Sequence, residues 1–223
     1  MGKQIKIKDF AWIFDKIIDV LKEAPKLYVS DVLHYIKEEE ERSFKVLVAT
    51  IISLRTKEKI TWQVSEVFFK HIKCFQDILD CSLKQLEKYL YPCGFYRQKA
   101  KQLQQTAELI LSKFKGRIPR NFDQLLALPG IGRKTANLVL IEAYNMDGIC
   151  VDIHVHRILN RWKILQTKNP DETEMKLRQI LPNKYWKIIN KNLVLFGQNI
   201  CKPVKPRCKE CFLNENCPYD SNF

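Results

Sequence analysis

The stretch from Leu128 to Asp152, LPGIGRKTANLVLIEAYNMDGICVD, constrains the fold more than any other part of the chain. Gly130 and Gly132, with Pro129, allow the backbone to turn sharply before a helix. Apolar residues then recur at the spacing of one helical face: Leu138, Val139, Ile141 and Tyr144. A helix N-terminus carries unpaired N–H groups and a partial positive charge, and glycines let an anion approach closely. The stretch therefore predicts a phosphate-binding turn.

Two side chains suggest chemistry beside this turn. Lys134 lies in the first helical turn next to Arg133, where the helix dipole and a neighbouring cation both disfavour an ammonium ion. A neutral lysine amine attacks electrophilic carbon and forms Schiff bases. Asp152 precedes a second helical pattern, so we expect it to cap that helix and to face the same groove. The alternative is that Lys134 only contacts a phosphate, as part of a helix-hairpin-helix that binds nucleic acid without catalysis.

The charge of the chain favours a polyanionic partner. Its net charge is +13, although ribosomal proteins and surface-binding domains can be equally basic. From Arg97 to Lys134 there are nine Lys or Arg against Glu108 and Asp123, a balance of +7 that ends at the phosphate-binding turn. We expect this segment to meet a nucleic-acid backbone.

Hydropathy argues against a membrane or secreted protein. No run approaches the roughly 18 apolar residues of a membrane span, and the N-terminus lacks a signal-peptide core. We therefore expect an intracellular protein, located in the cytoplasm or nucleoid if the cell is prokaryotic, and we expect it to be a monomer. In that compartment the eight cysteines favour metal binding over disulfides.

Four cysteines near the C-terminus have a spacing typical of a metal centre, C-x6-C-x2-C-x5-C: Cys201, Cys208, Cys211 and Cys217. The prolines between them exclude a regular helix, so a bound metal would supply stability that the segment lacks. Four thiolates also suit tetrahedral zinc, but zinc loops more often pair two C-x2-C units. The remaining cysteines lack such spacing and are expected to be buried thiols: Cys74, Cys81, Cys93 and Cys150.

Periodicity predicts an all-α fold, because no strand alternation of any length occurs. The first helix is expected over residues 8–23, with an apolar face that includes Ile18. A second is expected near 30–41, ending in the acidic run, and Ser43 is expected to cap the apolar helix that follows. Further helices are expected at 58–71, 83–91, 95–114, 122–128, 133–144, 153–162, 171–181 and 184–198, with a turn over 74–82.

These residues resemble a known family. LPGIGRKTAN followed by VDIH, the cysteine spacing, and GFYRQKA at residues 94–100 resemble the helix-hairpin-helix and Gly/Pro-Asp motif of base-excision DNA glycosylases, specifically endonuclease III. The resemblance implies a lobe at residues 35–146 with the hairpin and a second lobe from 1–34 and 147–223, with the active-site groove between them. It also implies that the four cysteines hold a [4Fe-4S] cluster.

The same resemblance implies the roles of individual residues. Lys134 and Asp152 would be catalytic, and Phe95 would be an intercalating plug. The remaining DNA contacts would be Arg55, Arg97, Gly130, Gly132 and Arg133. Arg55 stands where the family usually has glutamine, and a plain surface arginine is the alternative at that position.

The implied activity is removal of oxidised pyrimidines from duplex DNA, followed by cleavage of the abasic site through β-elimination. A monofunctional mismatch glycosylase and a non-catalytic helix-hairpin-helix protein are the alternatives. Thymine-mismatch relatives carry tyrosine where this chain has Lys134, which favours the bifunctional enzyme.

Overall fold

The structure, a computed structural model, describes residues 4–219, and the regular elements within that range are all helical. The α-helices of these residues are, in chain order, α1 (Phe10–Val20), α2 (Tyr28–Asp31), α3 (Glu39–Ser53), α4 (Glu58–His71), α5 (Phe75–Asp80), α6 (Leu83–Leu90), α7 (Tyr96–Phe114), α8 (Phe122–Leu126), α9 (Arg133–Tyr144), α10 (Ile153–Arg161), α11 (Pro170–Ile180) and α12 (Ile189–Asn199). Short 3₁₀ helices lie at Ile7–Asp9, Leu33–Tyr35, Asn183–Tyr185 and Cys208–Glu210. The predicted all-α class is confirmed.

The chain forms two compact units. One consists of Lys26–Gly148, and the other combines the residues before Lys26 with those after Gly148. The resemblance implies slightly different limits, with one lobe at 35–146 and the other made of 1–34 and 147–223. Those lobe limits remain a prediction.

The Lys26–Gly148 unit is built on α3 and α9. These two helices pack along each other, while α7 packs against α5 and α6. Every residue of α3 from Val46 to Ile52 is buried, and α9 is buried continuously from Thr135 to Ala143. The sequence predicted one buried face for α9, which is wrong because the helix is enclosed on all sides.

The other unit has a separate core made by α1, α10, α11 and α12. Trp162 and Phe196 lie at its centre, with Phe10 packed edge-on against Trp162 at 6.2 Å. The helix α1 belongs here because Phe10, Ile13, Phe14 and Ile17 are buried on one face. Ile18 was expected on that face, but its side chain is 57% exposed. The core therefore takes a narrower stripe than the sequence pattern suggests.

The acidic run Glu38–Glu41 begins a helix, whereas the sequence predicted that it ends one. Glu39, Glu40 and Glu41 form the first turn of α3, where carboxylates are stabilised by the helix dipole. Ser43 is therefore not a cap. It is buried inside α3 and donates its hydroxyl to the Glu40 carbonyl at 3.1 Å. The preceding segment holds the single-turn helix α2 and a 3₁₀ turn in place of a long second helix.

The segment 74–82 was predicted as a turn but contains the helix α5. Phe75 and Ile78 anchor it because both side chains are buried. The cysteines at its ends also differ from expectation. Cys74 is exposed and Cys81 is half-buried, while Cys93 and Cys150 are buried as predicted.

Within residues 4–219, no helix has the length and apolar character that crossing a membrane requires.

Candidate active site

The predicted phosphate-binding turn joins α8 to α9. Asn121 begins α8 by accepting hydrogen bonds from the Asp123 and Gln124 N–H groups. After the turn, Gly130 adopts φ of +67°, and a Cβ there would collide with the Gln102 side chain at 2.7 Å. Gln102 also donates to the Pro129 carbonyl at 3.0 Å. Gln102 of α7 therefore fixes the turn, and glycine is required at position 130.

Gly132 is the N-cap of α9 and leaves that helix end open. No side chain caps it, and a Cβ built on Gly132 would have no heavy atom within 4 Å. The first N–H groups of a helix attract anions, and a bare glycine lets a phosphate oxygen come close. The geometry of Gly132 thus suits the predicted role.

Arg133 and Lys134 form the first turn of α9. The Arg133 guanidinium lies over the Phe122 ring at 4.9 Å, so α8 steadies it. Lys134 is half-buried, and its charge is close enough to Glu58 to oppose the rise that burial causes in the pKa of that carboxyl. The candidate nucleophile therefore has a carboxylate neighbour within its own unit.

Glu58 is a residue of this site that sequence reasoning did not single out. It begins α4 and accepts a hydrogen bond from the Tyr28 N–H at 2.7 Å. Burial raises the pKa of the Glu58 carboxyl, against opposing effects of the Tyr28 N–H and the Lys134 charge. No sequence signal linked Glu58 to Lys134, since 76 positions separate them.

Asp152 caps α10, as the sequence predicted. Its Oδ1 accepts hydrogen bonds from the His154 N–H at 2.8 Å and the Val155 N–H at 3.0 Å. The carboxylate is thereby fixed in direction at a helix N-terminus, which stabilises its negative charge.

Two arginines of α10 donate hydrogen bonds to Cys201, the first cysteine of the C-terminal loop. Arg157 donates to the Cys201 carbonyl at 2.8 Å, and Arg161 donates to the Cys201 sulfur at 3.3 Å. His154 shares the Arg157 guanidinium through its Nδ1 at 3.0 Å, and His156 contacts the Thr173 hydroxyl at 2.7 Å. Both histidines therefore serve as hydrogen-bonding residues.

The four loop cysteines line one cavity. Its remaining wall is largely apolar, including Trp162, Phe196 and Ile200. Burial raises the pKa of the Cys211 thiol to about 11, and the neighbouring Cys201, Cys217 and Cys208 thiols add to that rise. Within residues 4–219, no three His, Cys, Asp or Glu side chains are arranged so that they could hold a metal ion. The thiols thus share a cavity without forming a ready-made ion site.

Arg55 and Phe95 form an exposed pair at the tips of two adjacent turns. Both are non-glycine residues with left-handed backbone, at φ of 53° and 59°. Such a conformation costs about 1 kcal/mol or more per residue, and it often marks a functional position. The Arg55 guanidinium lies 5.2 Å from the centre of the Phe95 ring, and Phe95 is 52% exposed. We call these two residues the Arg55–Phe95 pair.

The last predicted contact, Arg97, is exposed on the first turn of α7. Its guanidinium lies over the Tyr96 ring at 5.4 Å and 3.9 Å from the Glu87 carboxylate. Lys99, expected beside it on a basic DNA-facing surface, is buried instead. The basic pattern at the start of α7 therefore contains one structural lysine among surface residues.

Comparison with known proteins identifies the family. Residues 48–183 match the family of HhH-GPD superfamily base excision DNA repair proteins, and this match covers more than half of the chain. This chain belongs to the HhH-GPD superfamily. Endonuclease III of Thermotoga maritima is 39% identical over 180 residues, which cover 81% of this chain and 84% of that protein.

A longer relative and a solved structure extend the match. The chloroplastic endonuclease III homolog 2 of Arabidopsis thaliana is 42% identical over 188 residues, covering 80% of this chain and 49% of that protein. This chain thus corresponds to about half of the plant protein. A trapped covalent endonuclease III–DNA intermediate superposes with a TM-score of 0.81 at 26% identity, over 96% of both chains.

The HhH-GPD assignment agrees with the resemblance found in the sequence. The matched region contains both the turn before Lys134 and the cap at Asp152. The cysteine loop lies beyond it, and the superposition over 96% of the chain supports its place in the same fold. The predicted kinship with endonuclease III is therefore confirmed.

Proposed function

We propose that this protein is a base-excision repair DNA glycosylase and abasic-site lyase that acts on oxidised pyrimidines in duplex DNA. The observation that carries the proposal is Lys134, placed in the first turn of a helix whose glycine cap is open. The family assignment supports it, as does the likeness to a trapped covalent endonuclease III–DNA intermediate. We expect the protein to work as a monomer wherever the DNA of its cell is kept.

Recognition of the lesion requires that the damaged nucleotide leave the base stack. The open end of α9, with Gly130, Gly132 and Arg133, would bind the phosphates beside it. The Arg55–Phe95 pair would enter the duplex from the two turns that carry it, and Arg97 would contact the backbone. These roles explain why exposed aromatic and basic side chains occupy strained positions.

The chemistry proposed for Lys134 is nucleophilic attack. Its Nζ lone pair would form a bond to C1′ while the glycosidic bond breaks and the base leaves with that electron pair. The Asp152 carboxylate would take the proton from the lysine ammonium and stabilise the positive charge that develops on the sugar. Ring opening then gives a Schiff base between Lys134 and C1′.

Strand cleavage follows from the Schiff base. The imine makes the C2′ proton acidic, and loss of that proton expels the 3′ phosphate by β-elimination. The enzyme would therefore cut the strand on the 3′ side of the abasic site. Hydrolysis of the imine would return the free Lys134 amine.

We further propose that Cys201, Cys208, Cys211 and Cys217 hold a [4Fe-4S] cluster. The donor set fits, because four thiols line one cavity with apolar walls and Arg161 donates to the Cys201 sulfur. When bound, the cluster would supply stability to the loop. Iron and acid-labile sulfide in equal amounts would support this assignment, whereas zinc alone in elemental analysis would contradict it.

The proposed activity is tested by trapping with sodium borohydride on a duplex that contains an abasic site. We expect a covalent protein–DNA band with the wild type and none with Lys134→Gln, because the reducible imine needs the Nζ amine. Lys84→Gln, at an exposed lysine outside the basic 97–134 segment, is the control and should trap like the wild type. A band that persists in Lys134→Gln would refute the assignment of the nucleophile.

A further inference from the structure

Lys99 is a buried lysine whose hydrogen-bond acceptors are all neutral. It lies in the first turn of α7 and is 4% exposed. Its ammonium donates to the Ile52 carbonyl at 2.7 Å, the Leu54 carbonyl at 2.7 Å and the Thr56 hydroxyl at 2.9 Å. An ammonium has three N–H donors, and these three oxygens take them all. The Cys93 sulfur lies 3.9 Å away.

Such an environment is costly for a charge. Burial lowers the pKa of Lys99, with an opposing effect from the Cys93 thiol. A buried cation is normally paired with a carboxylate, whereas the partners recorded for Lys99 are two carbonyls, a hydroxyl and a thiol. An apolar side chain of similar length would fill the same space without that cost, so packing alone does not account for a lysine here.

The acceptors of Lys99 all flank Arg55. The Ile52 carbonyl belongs to the last turn of α3, Leu54 immediately precedes Arg55, and Thr56 immediately follows it. Lys99 therefore binds the backbone before Arg55 and the side chain after it, and Arg55 itself has the left-handed conformation that L-residues rarely adopt.

The same contacts fix the turn that carries Phe95. The Thr56 hydroxyl, which accepts from Lys99, also accepts from the Gly94 N–H at 3.1 Å. A Cβ on Gly94 would lie 2.5 Å from the Arg55 carbonyl oxygen, so the two turns touch through backbone. Lys99 itself follows Phe95 in the same helical turn, with its N–H bonded to the Phe95 carbonyl at 3.0 Å.

We propose that Lys99 is a positioning residue that holds the Arg55–Phe95 pair as one preformed wedge, and that it governs how efficiently the enzyme opens duplex DNA. The inference rests on the proposed function and adds a role that is separate from the chemistry at Lys134. A wedge that is already ordered avoids the entropy of ordering two loops on binding. Lys99 touches neither base nor sugar in this role.

The test compares two substrates with one variant. Lys99→Met keeps the length of the side chain and removes its charge and donors. On a duplex with a paired thymine glycol, we expect the rate of excision under single-turnover conditions to fall about 10- to 100-fold, since the wedge is displaced. On an abasic site in an unpaired loop there is no stacked base to displace, and borohydride trapping should stay within about twofold of the wild type.

A second pair of variants covers the case in which Lys99→Met fails to fold. Thr56→Val is isosteric with threonine but removes the hydroxyl that links Lys99 to Gly94, whereas Thr56→Ser keeps it. We expect Thr56→Val to slow excision from the duplex while trapping on the unpaired substrate is retained, and Thr56→Ser to behave like the wild type. Lys84→Met, at an exposed lysine outside the basic 97–134 segment, controls for the loss of one positive charge.

The outcomes separate the inference from the proposed function. Equal losses on both substrates, or no loss on either, would overturn the role of Lys99. Failure of the wild type to trap on any abasic substrate would overturn the proposed function instead. In that event, fluorescence of 2-aminopurine placed opposite the site still reports unstacking on binding, and a wild-type increase that is unchanged in Lys99→Met and in Thr56→Val overturns the inference by itself.

Discussion

The two helix N-termini that bear the candidate catalytic residues are built in opposite ways. The N-terminus of α9 is open, because Gly132 provides no capping side chain. The N-terminus of α10 is closed by the Asp152 carboxylate, which accepts two of its N–H groups. An open end recruits an anion from outside the protein, while a closed end supplies its own anion. The partial positive charge of a helix N-terminus therefore suits α9 for binding a ligand, and it holds a charged side chain in place at α10.

The largest expected effect comes from removing the charge at the closed end while its cap is kept. Asparagine caps helices as well as aspartate does, so Asp152→Asn should leave the free energy of unfolding nearly unchanged. Excision should nevertheless fall about 100-fold or more, since the group that accepts the proton is lost. Single-turnover excision and chemical unfolding of the same preparation measure both quantities.

Asp152→Ala is the matched control, because it removes the charge and the cap together. It should lose the same activity and in addition about 1 kcal/mol of stability. An Asp152→Asn protein with wild-type activity would mean that Asp152 serves the fold alone.

A smaller effect is expected from closing the open end. Gly132→Asp would give α9 the kind of cap that α10 has, and the φ of −94° at this position suits an ordinary residue. We expect a gain of a few tenths of a kcal/mol in stability. The affinity for abasic DNA should drop about tenfold, because the new carboxylate would repel the phosphate.

Gly132→Asn separates charge from size in that experiment. It fills the same space and caps the helix without a negative charge, so its affinity for DNA should fall less than that of Gly132→Asp. Equal losses in the two variants, measured by fluorescence anisotropy at fixed salt, would show that a side chain of any kind blocks the site and that charge is irrelevant.

The smallest effect concerns Glu58, whose carboxylate lies in the same unit as the open N-terminus of α9. Its pKa is raised in the folded protein, chiefly by burial, so the folded state holds its proton more tightly than the unfolded state does. The resulting stabilisation is present below the ordinary pKa of 4.5 and is lost as pH rises through the folded pKa.

Glu58→Gln removes that titration and keeps an oxygen acceptor for the Tyr28 N–H. The variant should therefore gain stability relative to the wild type between about pH 4 and pH 7. Urea unfolding of both proteins at each pH measures the difference. A difference that is constant with pH, or that shrinks on going to neutral pH, would contradict the burial of a titrating carboxyl.

The sequence predicted best where local chemistry decides the structure. The glycine turn before α9 and the Asp152 cap each depend on residues within a few positions, and the structure confirms the cap. The helix at 58–71 was also placed correctly. In these places short-range hydrogen bonds leave few alternatives.

The errors arose where distant packing decides. Lys99 looked like one more basic residue on a helix surface, and its burial depends on carbonyls 45 and 47 positions away. Glu58 and Lys134 are likewise far apart in sequence. The acidic run was misassigned because four glutamates are compatible with either end of a helix until the dipole is taken into account.

The unit that contains Asp152 is assembled from both ends of the described chain, and this has a consequence for synthesis on the ribosome. Its helix α1 packs against α12, about 170 residues later. At about 5 to 20 residues per second, α1 waits roughly 10 to 30 seconds for that partner. The unit with Lys134 is contiguous and can fold during this interval, so each newly made molecule acquires its lysine site before the unit that holds its aspartate is complete.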